Sequence, residues 1–411
     1  MKKEELLKVQ NQLKSQILQE LDQGTCFSDD EMYHEIEIRV LEMKQSGYIS
    51  IEEKIQLVRE IFNSIRRLDV LQELLEDASI TEIMVNGPDH IFVEREGRLS
   101  DSGKYFQSKE RLEDVIQQIV SKVNRVVNES SPIVDVRLLD GSRVNVVLPP
   151  VALDGPIMTI RRFPEQPLSM ERLIEMGSIS REAATFLKTL VEARYNIFIS
   201  GGTGSGKTTF LNALSDFIPE DERLITIEDA AELQIRNISN LVRLEVRNAN
   251  VEGKNAITIR DLVKSALRQR PDRIIIGEIR DAAVIELLNA MNTGHDGSIS
   301  TGHANSPMDM LRRMETLVLM GMDIPLAAVR SQIASAIDII VQLGRLRDKT
   351  RHVLEIDEVE GIKEGEIILR PLYAFQEEKG TNSQMVCGTL LSTGNSLLHR
   401  EKLEWAGKEV L

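Results

Sequence analysis

The sequence has only two cysteines among its 411 residues, Cys26 and Cys387, and they lie far apart. No disulfide framework and no cysteine-based zinc site is therefore expected, and a reducing compartment suits the chain. Aromatic residues make up only 4% of the sequence, so aliphatic side chains and methionine must fill the core. No apolar run approaches the roughly 18 residues that a membrane-spanning helix needs.

Positive charge is also scarce, since 50 lysines and arginines face 65 aspartates and glutamates, for a net charge of −15. An acidic chain disfavours an extended nucleic-acid-binding surface, although it leaves room for a local basic groove. Residues 1–5 are mostly charged and do not begin the apolar core of a signal peptide. We therefore expect a cytoplasmic protein that reaches the inner face of the cell membrane only through partners.

The strongest chemical signal is the glycine-rich stretch 201–208, which follows the apolar, strand-like residues 197–199. It matches the phosphate-loop pattern G-x-x-x-x-G-K-[S/T] in the required strand–loop–helix setting, which argues against a chance turn. Its glycines let backbone N–H groups surround an anion at the positive end of the following helix. The predicted ligands of the nucleotide are Gly201, Gly202, Thr203, Gly204, Ser205, Gly206, Lys207, Thr208 and Thr209.

Two of these residues have separate roles. Lys207 adds a positive charge for the β- and γ-phosphates, and the hydroxyl of Thr208 is expected to bind Mg²⁺. ATP and Mg²⁺ are therefore the expected substrate and metal.

The first part of the chain predicts two segments without a nucleotide motif. Residues 1–75 show helical spacing and capping-box signatures at Ser28 and Ser50, which predict a helical N-terminal segment used for packing or docking. Residues 76–163 mix strand, turn and helix patterns, with the clearest hairpin signal at residues 140–141. They predict an α+β domain.

The second part predicts the catalytic domain. Pro164 and Pro167 restrict their neighbours to extended shapes and predict a linker over residues 164–175. Residues 176–411 then alternate apolar strands with helical stretches, which predicts an α/β fold with a mostly parallel sheet. In such sheets ligands bind beyond the carboxyl ends of the strands.

Polar side chains follow three of these predicted strands at that edge: Glu228, Glu278 and His303. Phosphoryl transfer to water needs charge neutralisation, a metal and an oriented nucleophile, so both glutamates are candidates to orient water or hold the water shell of the metal. Each can instead be an ordinary charge at a helix terminus. Gly277 stands where many nucleotidases have an aspartate, so the metal contact must come from elsewhere, with Glu228 acting through water as one candidate.

The histidines and arginines leave further alternatives open. His295 and His303 lie eight residues apart among glycines, and without a third Cys or His ligand a phosphate-sensing switch is favoured over a metal site. In the α+β domain the four arginines near strand ends are either solvated or reach a phosphate bound in the next domain. They are Arg137, Arg143, Arg161 and Arg162.

Four local patterns, taken together, resemble the ATPases of type II/IV secretion systems. The phosphate loop matches the Walker A motif of that family, and residues 226–232, 267–281 and 293–303 match its Asp box, Walker B motif and His box. Upstream, residues 80–89 and 140–145 resemble the CpaF (TadA-type) branch, which powers tight-adherence pili.

This resemblance implies a homo-hexamer in which each subunit binds ATP between an N-terminal domain and a RecA-like C-terminal domain. It implies that Glu228 and Glu278 act in hydrolysis, that His303 couples hydrolysis to movement, and that Arg143 and Arg161 reach phosphate. It further implies a motor for pilus assembly or protein secretion that works on an integral inner-membrane platform protein. The two isolated cysteines exclude the tetracysteine zinc module of export ATPases, and the C-terminal motif of retraction ATPases is missing.

Three other functions compete with this hypothesis. A conjugative or effector-translocating type IV secretion ATPase shares the chemistry and differs in its partner. A RecA-like DNA-strand ATPase predicts salt-sensitive DNA binding, which the acidic charge disfavours, so no stable nucleic-acid binding is expected. A nucleotide-gated scaffold without turnover is opposed by Glu228 and Glu278.

Overall fold

The computed structural model describes residues 12–17, 19, 27–42, 50–95, 97–123, 125–138, 140–162, 167–247, 249, 254–378 and 385–409. Contacts divide the chain into two compact units, residues 1–165 and 166–411. Residues 164–166 of the predicted linker, with Pro164, lie outside the described residues. Within the described ranges, no helix combines the length and the apolar character that crossing a bilayer requires.

The first unit contains the helices α1 (Asp29–Glu42), α2 (Ile51–Arg66) and α3 (Val70–Glu76), followed later by α4 (Lys109–Ser121). Of these, α1 and α2 start with capping boxes. The Ser50 side chain accepts from the Glu53 amide, and the Glu53 carboxylate accepts from the Ser50 amide, as the sequence predicts. Ser28 and Glu31 make the same exchange. The apolar stripe of α1 then packs on α2 in one small core.

An antiparallel sheet completes the first unit. Its strands are β1 (Ile80–Asn86), β2 (His90–Arg95), β3 (Arg98–Asp101), β4 (Ile133–Arg137), β5 (Arg143–Val147) and β6 (Ile157–Arg161). Their order is β3-β2-β1-β6-β5-β4. The predicted hairpin β4–β5 is confirmed, and β1 and β2 form a second antiparallel hairpin. Gly141 has φ +89°, so the turn between β4 and β5 uses the left-handed backbone that glycine tolerates.

The second unit is built on a larger sheet. Its strands are β7 (Ile197–Gly201), β8 (Leu224–Glu228), β9 (Leu241–Glu245), β10 (Arg273–Ile276), β11 (Ile299–Gly302), β12 (Ile339–Arg345), β13 (Arg351–Lys363), β14 (Glu366–Glu377) and β15 (Gly388–Ser392). The order is β15-β14-β13-β12-β7-β11-β10-β8-β9. Pairings from β12 through β9 are parallel, which confirms the predicted α/β fold. The pairings of β13, β14 and β15 are antiparallel.

Helices cover both faces of this sheet. They are α5 (Met170–Glu175), α6 (Arg181–Glu192), α7 (Lys207–Ser215), α8 (Ile259–Ala266), α9 (Val284–Met291), α10 (Pro307–Gly321), α11 (Leu326–Ala336) and α12 (Glu401–Trp405). One core holds α5, α6, α7 and α12, and the other holds α8 to α11. Because both faces are covered, the central strands β7, β8, β10 and β11 are buried along their whole length. Helix α5 lies inside the segment predicted as a linker, and its Met170 and Leu173 belong to the first of these cores.

Candidate active site

The glycine-rich loop begins at the end of β7, which is buried along its whole length. Gly204 and Gly206 have φ values of +72° and +92°, a backbone that L side chains rarely adopt. Helix α7 starts at Lys207 without a side-chain cap, so no capping side chain takes its first N–H groups. A Cβ at Gly201 would lie 2.6 Å from the Leu343 carbonyl oxygen of β12, so this position has no room for a side chain.

Lys207 lies at the centre of the site and is 7% exposed. Its Nζ donates to the carbonyl oxygens of Gly201 and Gly202, each at 3.0 Å, and lies 3.2 Å from His303 Nδ1. Because an ammonium group can only donate, Nδ1 of His303 must accept and the ring proton sits on Nε2. His303 is therefore a neutral imidazole held by the lysine.

His303 joins Lys207 to Glu278. Its Nε2 lies 2.7 Å from Glu278 Oε1, a close electrostatic contact rather than a well-aligned hydrogen bond. Burial lowers the pKa of His303, and the charge of Lys207 lowers it further, against the opposing effect of Glu278. The imidazole therefore stays uncharged at neutral pH.

Glu278 is held as a carboxylate. Arg280 Nη2 donates to its Oε2 at 2.6 Å. Burial raises the pKa of Glu278, but the Arg280 hydrogen bond and the positive charges of Arg280 and Lys207 outweigh burial and hold the pKa below its usual value. The site therefore contains one continuous chain of contacts from Lys207 through His303 to an ionised Glu278.

Glu228 is in a different state. It is 2% exposed, and its Oε1 accepts from the backbone amides of Glu232 and Leu233, each at 2.8 Å. Its Oε2 is buried without a hydrogen-bond partner. Burial raises the pKa of Glu228 to about 7, against the effect of the two backbone hydrogen bonds. A carboxyl group with that pKa is suited to accept a proton at neutral pH.

At position 277, where many nucleotidases have an aspartate, glycine leaves space for a neighbouring side chain. A Cβ at this position would lie 3.0 Å from Cγ of Glu228, which is tighter than an ordinary contact. Glu228 thus takes the space that a side chain at position 277 would need. The structure brings Lys207, Glu278, His303 and, across Gly277, Glu228 to the same edge of the sheet.

Arg143 and Arg161 lie in the other unit, so their predicted reach to a phosphate stays a prediction. They sit directly opposite each other on β5 and β6, and Arg143 Nε lies 3.3 Å from Asp135 Oδ1. Arg162 instead donates to the carbonyl oxygens of Asp77 and Ile80, which is a local structural role.

His295 is separated from the phosphate loop. It precedes β11, whereas His303 follows that strand, so the two histidines lie at opposite ends of it. The phosphate-sensing hypothesis therefore applies to His303 alone, where it stays a prediction. Among the described residues, no three or more Cys, His, Asp or Glu side chains cluster so that they could hold a metal ion.

Gly297, two residues after His295, serves packing instead. A Cβ at Gly297 would lie 2.6 Å from Nη1 of Arg273, which is fully buried. That guanidinium donates to Glu222 Oε1 at 2.9 Å and to the Val191 carbonyl at 2.7 Å. Gly297 is therefore required by a buried ion pair at the edge away from the nucleotide loop.

A pair of glycine substitutions tests this structural role. Gly297→Ala should destabilise the protein by about 2–4 kcal/mol, because the methyl group meets a buried guanidinium and φ is +83°. Gly294→Ala is the matched control: its φ is +94° but nothing lies within 4 Å of the added Cβ, so only the backbone cost of about 1 kcal/mol remains. Denaturant unfolding measures both, and equal losses would contradict the packing explanation.

Sequence reasoning missed two arginines at this site. Arg345 ends β12 and Arg351 begins β13, and Arg351 Nε donates to the Gly204 carbonyl at 2.8 Å. Neither residue belongs to a recognised motif, and more than a hundred residues of sequence separate them from the loop. The one sequence feature that could have pointed to these arginines is a short turn between them, directly after an apolar strand.

Comparisons with known proteins agree with this geometry. The family model for "Type II/IV secretion system protein" matches residues 66–387. The chain is 37% identical over 293 residues to a putative conjugal transfer protein of Mycobacterium tuberculosis, covering 70% of this chain and 83% of that protein. It is 34% identical over 313 residues to the conjugal transfer protein TrbB of Rhizobium radiobacter, covering 75% and 92%. Among solved structures, the Yersinia pseudotuberculosis ATPase DotB shares the fold, with a TM-score of 0.53 at 19% identity over 77% of this chain and 82% of that one.

Proposed function

The chain belongs to the type II/IV secretion system protein family, and we propose that it is a ring-forming motor that turns ATP hydrolysis into movement of an envelope-spanning machine. It is an ATPase of a secretion system. The observation that carries the proposed mechanism is the contact chain from Lys207 through His303 to Glu278, beside the nearly buried Glu228.

The contact chain can report the arrival of phosphate. Lys207 Nζ donates to two loop carbonyls and to His303 Nδ1. A β- or γ-phosphate competes for the same ammonium, and a charged acceptor outcompetes a neutral imidazole. When Lys207 turns to phosphate, His303 loses its donor and is free to reorient against Glu278. His303 therefore acts as the coupling residue.

The two glutamates divide the work of hydrolysis. Glu228, with a pKa of about 7, accepts the proton of the attacking water. Glu278, ionised and fixed by Arg280, orients that water and responds to His303. Different environments thus give two carboxylates two roles at one edge of the sheet.

Thr208 is the residue that would hold a Mg²⁺ ion bound together with the nucleotide. The half-buried Thr208 at the start of α7 supplies a hydroxyl, and the described residues provide no cluster of three or more acidic or histidine ligands. This donor set suits a magnesium ion that keeps phosphate oxygens and waters as its other ligands. When bound, the ion neutralises charge on the phosphates.

We further propose that Arg143 and Arg161 bind a phosphate. Like charges directly opposite each other on neighbouring strands repel, and a bound phosphate relieves that repulsion. We expect Arg161→Ala to lower the ATPase kcat about 10–100-fold, since one charged contact to the reacting phosphate is lost. Arg98→Ala, on the edge strand β3 of the same sheet, should leave the rate unchanged. Steady-state phosphate release measures both, and equal rates for the two variants would contradict this role.

We also propose which secretion machine this ATPase drives. The residues that resemble the CpaF (TadA-type) branch support a homo-hexamer that drives tight-adherence pilus assembly through an inner-membrane platform protein. Conjugative transfer is the second candidate, favoured by the likeness to TrbB. Cross-linking in cells that carry both systems would separate them, because a pilus motor is captured with a pilus platform protein and a conjugative motor with conjugation proteins.

A further inference from the structure

The hairpin between β12 and β13 lies against the phosphate loop within the second unit. β12 pairs in parallel with β7, with Leu343 opposite Gly201, so the end of β12 runs past the loop that β7 delivers. The turn that follows is closed by the amide of Leu346 donating to the Thr350 carbonyl at 2.8 Å. β13 therefore begins beside the same loop.

Two arginines flank this turn, and both lie close to the phosphate loop. Arg345 and Arg351 are direct cross-strand partners. Arg351 Nε donates to the Gly204 carbonyl at 2.8 Å, and a Cβ at Gly206 would lie 3.3 Å from its Cδ. A Cβ at Gly204 would lie 3.9 Å from Nη1 of Arg345. Both guanidinium groups thus reach the phosphate loop.

The hairpin is firmly anchored, so these arginines are held in place. Asp348 Oδ1 accepts from the Thr350 amide and hydroxyl, and its Oδ2 accepts from the Val386 amide at 2.8 Å. His352 is 7% exposed and packs on the ring of Phe375, with the ring centroids 5.1 Å apart. Each anchor reduces the entropy that ordering the arginines would cost.

The contact to Gly204 decides which way one peptide faces. A glycine with positive φ can turn its following peptide at little steric cost, and a carbonyl turned into the nest would repel phosphate. Arg351 holds the Gly204 carbonyl on its own side, while the Ser205 amide donates to the Gly202 carbonyl at 3.3 Å. The peptide between Gly204 and Ser205 is fixed from both ends.

We propose that Arg351 is a positioning residue for ATP, which keeps the Gly204 carbonyl turned away from the phosphate nest, and that the Arg345–Arg351 pair adds positive charge from the hairpin to the bound polyphosphate. This inference rests on the proposed ATP site. The two opposed arginines repel each other across the strands, and a polyanion between loop and hairpin stabilises them together.

The same hairpin supplies a matched control. Arg347 lies between the two arginines in sequence, and its guanidinium pairs with Glu377. Arg347→Ala thus removes one positive charge from the hairpin and leaves the contact between Arg351 and Gly204 in place.

The experiment measures the affinity of the full chain for a fluorescent ATP analogue and its KM and kcat for ATP. Arg351→Ala should raise both Kd and KM about 10–100-fold, as expected for a lost hydrogen bond from a charged group, with a smaller change in kcat. Arg351→Lys keeps the charge but lacks the guanidinium fork, so it should restore only part of the affinity. Arg347→Ala should stay within twofold of the wild type, and thermal unfolding of all variants should match the wild type.

Three outcomes would overturn the inference. If the Kd of Arg351→Ala stays within twofold of the wild-type value, the contact between Arg351 and Gly204 does not contribute to ATP binding. An equal loss in Arg347→Ala, or full rescue by Arg351→Lys, shows that only the general charge of the hairpin acts. Lys207→Ala distinguishes a failure of this inference from a failure of the proposed ATP site. If Lys207→Ala no longer binds the nucleotide while Arg351→Ala still does, only the role of Arg351 is refuted. If neither variant changes binding, the proposed ATP site is refuted as well.

Discussion

Replacing Lys207 by alanine should lower the rate of ATP hydrolysis by about 10²–10³-fold or more, because it removes a preorganised positive charge at the phosphates. The same change removes the ammonium group that lies 3.2 Å from His303 Nδ1, so no donor then fixes the tautomer of the imidazole. Phosphate release by the full chain with Mg²⁺ measures the effect.

The control for this prediction is a lysine elsewhere in the same unit. Lys188 lies exposed on α6, where its contacts are a distant pair with Glu192 and the ring of Phe217. Lys188→Ala should keep the wild-type rate. An unchanged rate in Lys207→Ala would remove the assignment of residues 201–208 as the catalytic phosphate loop.

Replacing Glu228 by glutamine should lower kcat by about 10²–10⁴-fold while ATP binding is kept, because the amide cannot accept the proton of water. The substitution is nearly isosteric and keeps an acceptor for the amides of Glu232 and Leu233. It also preserves the close packing of this side chain on Gly277. The loss should therefore fall on chemistry and not on folding.

The pH dependence of the wild-type rate follows from the same group. Burial disfavours the charged form and raises the pKa of Glu228 to about 7, so the base is mostly protonated at pH 6 and mostly ionised at pH 8. The rate should rise about tenfold per pH unit below pH 7 and level off above it. Glu278 stays ionised and His303 stays neutral around neutral pH, since the pKa of each is lowered.

One other carboxyl needs a control. Burial also raises the pKa of Asp357, on β13, to about 7. Asp357→Asn should keep the inflection near pH 7, whereas the residual rate of Glu228→Gln should lose it. An inflection that disappears with Asp357 and persists without Glu228 would contradict the assignment of the base.

Local sequence signals predicted much of the fold. The turn at residues 140–141 lies between runs with strand alternation, and the structure has the β4–β5 hairpin there. The capping boxes at Ser28 and Ser50 work through three neighbouring residues, so a single sequence suffices to find them. The apolar runs that became β8, β10, β11 and β12 could be read as buried strands because both faces of the sheet are covered.

Non-local contacts explain what the sequence did not predict. The strands β13 and β14 are only partly buried and carry charged residues, so neither contains a simple apolar run in the sequence. β13 pairs with β12, and β14 pairs with β13. Arg345 and Arg351 reach the phosphate loop only because β12 lies beside β7, which spacing along the chain cannot reveal. The raised pKa of Glu228 likewise depends on burial by distant segments, whereas its place after a strand was visible in the sequence.

A single-turnover measurement with limiting ATP and excess protein tests most directly whether the protein hydrolyses ATP with Glu228 as the base. It separates nucleotide binding from cleavage of the terminal phosphate in one experiment. We expect the wild type to bind ATP and release one phosphate per ATP, and Glu228→Gln to bind ATP and leave it intact over the same period. Cleavage by Glu228→Gln at the wild-type rate, or binding without cleavage by the wild type, would contradict this expectation.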